Sequence, residues 1–156
     1  MSFRLFQLTD INALHALMNE TISTYYATFP PTYRQHWMEV HHSVDQILAE
    51  ATEGLTLVME YRGNIMGTGN IVNNRIQSIM IHPDMQRQGY GTELMQQLEQ
   101  YARNHGILVV QLSALPPARP FFERLDYQTI SEHPLKAPNL RQFNYYIMEK
   151  RLESDR

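Results

Sequence analysis

The 156-residue chain contains no cysteine. That absence excludes disulfides, thiolate zinc sites and a cysteine nucleophile. Nor does any apolar run approach the roughly 18 residues that a membrane-spanning helix needs. The first residues also lack the apolar stretch and small-residue cleavage site of a secretory signal, so we expect a cytoplasmic protein with no membrane partner.

The chain has little excess of charge of either sign, with 13 Lys and Arg, 16 Asp and Glu and a formal net charge of −3. Nucleic-acid-binding domains usually carry a basic surplus, so we expect no nucleic-acid partner. The hydrophobic fraction of 43% is enough for a buried core. A chain of this length usually forms one domain, so we predict a single domain over residues 1–156.

Hydrophobic periodicity and turn residues predict the order β-α-α-β-β-β-α-β-α-β-β. The predicted strands cover residues 3–8, 55–61, 65–72, 75–81, 107–112, 127–131 and 142–149. The predicted helices begin at Thr9 or Asp10, at Ser43, near Thr92 and at Pro116 or Pro117. This order indicates a mixed α/β domain rather than an alternating doubly wound one.

The most informative segment is the loop 86–91 (QRQGYG), between a predicted strand and a predicted helix. The first turn of a helix has unpaired N–H groups and a partial positive charge, and glycine lets the backbone approach a phosphate closely. The loop therefore predicts an anion site suited to a pyrophosphate. A strand-to-helix turn without a ligand is the alternative.

The segment 79–92 (IMIHPDMQRQGYGT) resembles the acetyl-CoA signature of the GCN5-related N-acetyltransferase (GNAT) family almost position by position. The resemblance continues through 112–127 (LSALPPARPFFERLDY) and 146–150 (YIMEK), and it is good from about residue 55 onward. It implies a GNAT-like mixed α/β sheet with a splayed central pair of strands, between which the pantetheine arm of acetyl-CoA would lie. Members of the family commonly form dimers, so a homodimer is a further expectation.

The resemblance also implies which residues bind the cofactor. In the strand they are Ile79, Met80 and Ile81, whose backbone would pair with the pantetheine arm. In the loop and the first helical turn they are Arg87, Gln88, Gly89, Tyr90, Gly91 and Thr92, whose backbone amides would hold the pyrophosphate. The side chain of Arg87 would either pair with a CoA phosphate or lie in solvent.

For catalysis the resemblance implies direct attack of a neutral amine on the thioester, with an acid that protonates the leaving thiolate. Three positions depart from the family pattern. Phe122 stands where the usual tyrosine acid would be, Leu115 where many members have Asn, and Val110 where the branch that acetylates protein N-termini has a Glu base. The catalytic residues are therefore unassigned, and we predict that water or another side chain handles protons. Tyr127 is interpreted as a core residue, and the role of Ser113 stays open.

An aromatic run follows the first predicted helix. In the family this region often forms a wall of the substrate site, so Tyr25, Tyr26 and Trp37 are candidate substrate-binding residues that could enclose an ammonium. The alternative is that these rings simply cover the sheet. Glu20 and His41 are candidate bases nearby.

Histidines also cluster in this region, at His36, His41 and His42. On a helix, His41 and His42 would point about 100° apart, so they would not converge on one ion. We therefore predict no metal site.

The leading hypothesis is an acetyl-CoA-dependent N-acetyltransferase that acts on a primary amine, of a small molecule or of a peptide. The alternative is a catalytically weak acyl-CoA-binding module, a sensor or partner subunit that keeps the fold. Phe122, Leu115 and Val110 favour the alternative. Transfer of an acyl group other than acetyl also stays open.

Overall fold

The computed structural model describes residues 1–25, 27, 31–135 and 143–153. Within these residues the strands are β1 (Ser2–Leu5), β2 (Leu55–Tyr61), β3 (Asn64–Val72), β4 (Arg75–Ile81), β5 (Val109–Ala114), β6 (Gln128–Leu135) and β7 (Phe143–Arg151). The helices are α1 (Ile11–Tyr25), α2 (Pro31–His41), α3 (Val44–Glu53), α4 (Tyr90–Asn104) and α5 (Arg119–Arg124). Over the same residues, no helix is both long and apolar enough to cross a membrane.

The strands form one sheet with the order β1-β2-β3-β4-β5-β7-β6. Neighbouring strands are antiparallel except β4 and β5, which are parallel. β4 and β5 pair at a single position, Arg75 with Gln111, whereas β5 and β7 pair from Val109–Arg151 to Ala114–Tyr146. The central pair is therefore splayed, and the predicted mixed α/β fold is confirmed.

Helices cover both faces of this sheet. Successive residues of a strand point to opposite faces, so one strand contributes side chains to both layers. In β2, Val58 packs with Leu14 of α1 and Ile47 of α3. The next residue, Met59, belongs to a second cluster that includes Leu94 of α4. Val58 and Met59 are both 0% exposed, so the two clusters together form the core.

The helix α2 is absent from the predicted element order, which treats the prolines of the aromatic run as a break. Pro31 is instead the first residue of α2. Proline suits that position because its fixed φ is helical and its missing N–H would have no intrahelical partner. Among the residues that the structure describes, the observed order therefore contains one α-helix more than the prediction.

Several predicted boundaries shift where hydrogen bonds redirect the chain. β1 ends at Leu5, not at residue 8, because Asp10 accepts the backbone N–H of Gln7 at 2.8 Å and closes a 3₁₀ turn. β5 begins and ends two residues later than predicted, in register with β7. By contrast, β2 and β4 have the predicted bounds.

Candidate active site

The splay between β4 and β5 opens a cleft of about 750 Å³. At its narrow end, Gln111 donates its backbone N–H to the carbonyl of Asn74 at 2.8 Å. Beyond this point, the edge of β4 that faces β5 has no strand partner among the described residues. The other edge is paired to β3, with Gly67 opposite Ile81 and Thr68 opposite Met80. The cleft therefore has an unpaired strand edge along one side.

The glycine loop lies at the wide end of the cleft, directly before α4. Gly89 is the N-cap of this helix and has a φ of 87°. Residues other than glycine rarely adopt this backbone conformation. The first backbone bond into the helix runs from Glu93 N to Gly89 O, at 3.1 Å. The amides just before Glu93 have no carbonyl one turn back within the helix, so they are available to an anion.

The structure brings most of the predicted cofactor-binding residues together at this cleft. Its lining includes seven of them: Ile79, Met80, Ile81, Arg87, Gly89, Gly91 and Thr92. Gln88 instead reaches the carbonyl of Asp84 with its side chain, at 3.3 Å. Tyr90 packs on the core. A backbone amide can bind a phosphate wherever its own side chain points, so these two contacts are compatible with the predicted role of Gln88 and Tyr90.

The opposite wall is apolar where the family pattern would have polar groups. Phe122 and Leu115 both line the cleft, and they are 6% and 7% exposed. Val110 is fully buried. The Phe122 ring packs edge-on against Phe121 and Tyr127, with centroids 5.1 and 5.9 Å away. The side chains of Phe122, Leu115 and Val110 therefore provide no proton donor to the cleft.

Two polar side chains near this wall have structural partners. Tyr127 is 2% exposed and donates its hydroxyl to Glu99 Oε2 at 3.1 Å, as expected for a core residue. Ser113 is exposed and accepts a hydrogen bond from Arg75 Nη2 at 2.6 Å. Both Ser113 and Arg75 line the cleft.

The third wall comes from α1, α2 and α3, and the aromatic residues of α2 contribute to it. Trp37 lines the cleft, with its ring centroid 5.6 Å from that of Tyr33 and 4.7 Å from that of His41. Tyr25 is the last residue of α1, and its side chain lies outside what the structure describes. Tyr26 lies outside the described residues. Trp37 is thus the candidate substrate-binding residue that the described part of the structure places at the cleft.

Two neighbouring histidines at the end of α2 have lowered pKa values. Burial, followed by the proximity of His41 and His15, lowers the pKa of His42 to about 4. Burial and then His36 also lower the pKa of His41. In the part of the chain that the structure describes, no three His, Asp or Glu side chains are placed to hold a metal ion.

The candidate base Glu20 lies elsewhere. Its carboxylate is 3.1 Å from His82 Nε2, and it does not appear among the described residues that line the cleft. His82 Nδ1 accepts the backbone N–H of Asp84 at 3.1 Å, so Nε2 carries the ring proton toward Glu20. This pair joins α1 to the end of β4.

A carboxylate that the sequence prediction does not include lies in the cleft instead. Glu50 of α3 is 6% exposed, and Ser78 Oγ lies 3.0 and 3.3 Å from its two oxygens. Burial raises the pKa of this carboxyl. The one available sequence signal is its spacing of three residues from Ile47, which puts both on the buried face of α3.

A sequence model of the acetyltransferase (GNAT) family matches residues 14–127. The chain belongs to the GNAT acetyltransferase family. GNAT membership implies acetyl-CoA-dependent acetyl transfer.

Solved GNAT structures share the fold of this chain. One is a GCN5-related N-acetyltransferase from Rhodopseudomonas palustris, with 22% identity, a TM-score of 0.84 and coverage of 97% of this chain and 95% of that chain. The PaiA N-acetyltransferase from Thermoplasma acidophilum, solved with coenzyme A, has 18% identity, a TM-score of 0.76 and coverage of 97% and 99%. The putative acetyltransferase YncA from Salmonella typhimurium, solved with acetyl-CoA, has 18% identity, a TM-score of 0.75 and coverage of 100% and 96%.

Proposed function

We propose that this GNAT protein moves an acetyl group from acetyl-CoA to the primary amine of a small molecule, by direct attack and without a covalent enzyme intermediate. The observation that carries the proposal is one continuous cleft. It joins the unpaired edge of β4, the open amides before α4 and a separate wall from α1, α2 and α3.

The residues of the cleft fit acetyl-CoA. The backbone of Ile79, Met80 and Ile81 offers a free strand edge for the amides of the pantetheine arm. The amides of residues 87–92 offer donors for the pyrophosphate at the positive end of α4. Arg87 and Arg124 add cationic side chains to the same cleft. When bound, acetyl-CoA supplies the activated thioester.

The residue types that are present favour direct transfer. Without cysteine, the chain cannot form an acetyl-cysteine. Phe122 and Leu115 keep water away from their part of the cleft but donate no proton. A CoA thiol resembles a cysteine thiol, whose pKa is about 8.5, so its thiolate leaves without an acid. The missing acid costs about 10²–10⁴ in rate, not all activity.

The small-molecule acceptor is favoured over a protein N-terminus by Val110. In the branch that acetylates protein N-termini, the resemblance implies a Glu base at this position. Val110 is fully buried and apolar. A peptide amine remains an outcome of the acceptor test below.

A second candidate is an acyl-CoA-binding module with little or no catalysis. It is favoured by the buried apolar side chains of Phe122, Leu115 and Val110, which leave three family positions without a polar group. The fold and the cofactor cleft fit both candidates, so only turnover separates them.

The test combines a thermal shift with acetyl-CoA and a free-thiol turnover assay. The acceptor panel is 2-phenylethylamine, putrescine, L-lysine and an alanyl dipeptide, and propionyl-CoA is assayed beside acetyl-CoA. The proposal expects a shift and turnover of at least one small amine. A shift without turnover of any amine would leave the binding module as the function, and the absence of a shift would reject both candidates.

A further inference from the structure

The wall formed by α1, α2 and α3 contains three polar side chains that are each less than a tenth exposed. They are Thr21 at 6%, His42 at 7% and Glu50 at 6%, and all three line the cleft. Thr21 Oγ1 and His42 Nδ1 have no hydrogen-bond partner among the described residues. Because buried polar groups are nearly always hydrogen-bonded, this wall has unused capacity that points to a polar ligand.

Hydrogen bonds fix both the backbone and the side chain of Glu50. Asn70 Nδ2 lies 3.0 Å from the Glu50 carbonyl and 2.9 Å from Thr56 Oγ1, which fixes the end of α3 on the sheet. Ser78 Oγ reaches the carboxylate at 3.0 and 3.3 Å. Gln46 Nε2 adds a longer contact of 3.4 Å. These partners are all uncharged, so the charge of Glu50 has no cationic counterpart in these contacts.

Ser78 places this carboxylate near the narrow part of the cleft. Its φ of 56° marks an irregularity in β4, where the register with β3 shifts between Thr68 and Asn70. Ser78 lies three residues beyond Arg75, the one residue of β4 that pairs with β5. At about 3.3 Å per residue, that separation is about 10 Å along the strand. Glu50 therefore reaches the cleft where the two strands begin to part.

The charges and acceptors of this wall suit a cation with several N–H groups. Among the described residues that line the cleft, Glu50 is the one carboxylate. His42, with its pKa lowered to about 4, is neutral and keeps one ring nitrogen as an acceptor. Thr21 Oγ1 is another acceptor. A buried carboxylate without a cation is costly, and a bound cation offsets that cost.

We propose that Glu50 binds the protonated primary amine of the acceptor and takes its proton before acetyl transfer. Thr21 and His42 accept further hydrogen bonds from the acceptor, beside the aromatic wall at Trp37. This inference rests on the proposed function, because it assigns the acceptor side of the same cleft. Glu50 is then a catalytic residue, and the acceptor that the cleft binds is a primary ammonium.

The proton and electron balance of the step is complete. The ammonium nitrogen loses one proton to the Glu50 carboxylate, which leaves a lone pair on the neutral amine. That lone pair forms the C–N bond while the C–S bond breaks and its electron pair stays on sulfur. The second proton that nitrogen loses ends on the CoA thiol, and Glu50 later releases the first proton to solvent.

The test compares Glu50→Gln and Glu50→Asp with the matched control Glu53→Gln. Glu53 is exposed and lies on the same helix, so the control removes an equal charge from α3 outside the cleft. Glu50→Gln keeps an oxygen that can accept from Ser78. Thermal melting confirms that each variant folds, and calorimetry measures acetyl-CoA binding. A second calorimetric readout compares binding of the best amine of the panel with its hydroxyl analogue, in the presence of CoA.

We expect Glu50→Gln to lower kcat/KM by about 10²–10⁴, with an intermediate loss for Glu50→Asp and wild-type turnover for Glu53→Gln. Acetyl-CoA affinity should not change, and Glu50→Gln should lose the preference for the amine over its hydroxyl analogue. If the wild type acetylates an amine and Glu50→Gln stays within about threefold of it, the inference is overturned and the proposed function stands. If the wild type binds acetyl-CoA but acetylates no amine, both fall.

Discussion

Tyr127 and Glu99 form a hydrogen bond in the core, with the tyrosine hydroxyl 3.1 Å from Oε2 of the carboxylate. Lys150 Nζ lies 2.8 Å from the other oxygen, Oε1. Burial, followed by the Glu99 charge, raises the pKa of Tyr127. The hydroxyl therefore has its hydrogen-bond partner in the core and is not available for proton transfer in the cleft.

We predict that Tyr127→Phe lowers the free energy of unfolding by about 1–3 kcal/mol, because Glu99 then keeps a buried oxygen without its donor. Urea unfolding measures the loss, and turnover should stay at the wild-type value. Tyr101→Phe is the control, since that hydroxyl makes no hydrogen bond to another described residue. A large fall in kcat with unchanged stability would instead make Tyr127 the missing acid.

Gly89→Ala should weaken acetyl-CoA binding through the backbone and not through a clash. A Cβ at Gly89 would meet nothing within 4 Å, but φ is 87° there, which costs about 1–2 kcal/mol for a residue with a side chain. Relaxation of that strain moves the amides before α4. Gly63→Ala is the matched control, with a φ of 78° and open space in the β2–β3 turn.

Both glycine variants should lose similar stability, and only Gly89→Ala should lower acetyl-CoA affinity measured by calorimetry. Equal affinities in the two variants would show that the loop conformation does not set the cofactor site.

Asp10→Asn should destabilise the fold at neutral pH. Asp10 accepts two hydrogen bonds from Arg4, at 2.8 and 2.9 Å, and charged hydrogen bonds contribute about 1.5–3 kcal/mol each. Hydrogen bonds from Arg4 hold the pKa of Asp10 below its ordinary value of 3.8. Since the folded pKa is the lower one, this stability is complete above 3.8 and is lost as the pH falls through the folded pKa.

Urea unfolding of the wild type and Asp10→Asn across acid pH measures this contribution. The difference between them should shrink as the pH falls. A difference that does not change with pH would mean that the Asp10 charge adds nothing to stability.

Trp37→Ala should raise the KM for the amine acceptor and spare acetyl-CoA affinity, because Trp37 belongs to the wall formed by α1, α2 and α3, whereas the cofactor loop precedes α4. Loss of a cation–π contact and of packing predicts a rise of about 5- to 30-fold, equivalent to about 1–2 kcal/mol. Trp37→Phe keeps an aromatic ring and should lie close to the wild type. An unchanged amine KM in Trp37→Ala would place the acceptor elsewhere.

Much of the fold could be predicted because its signals are local. β2 and β4 have the predicted bounds, since the β-forming residues of each strand and the turns beside it lie within a few positions of each other. Boundaries that depend on distant partners could not be predicted as well. β5 takes its register from β7. Pro31 begins a helix, a position that proline favours, although the sequence prediction treats the prolines there as a break.

The sequence by itself determined the family resemblance, the glycine loop before α4 and the loss of the tyrosine at Phe122, since each is read from contiguous residues. Only the tertiary structure decided which polar groups share the cleft. Glu50 and Ser78 are separated by 28 positions in the chain, and they meet because α3 packs beside the irregular part of β4. The burial of a carboxylate depends on such long-range packing, so residue types alone could not reveal it.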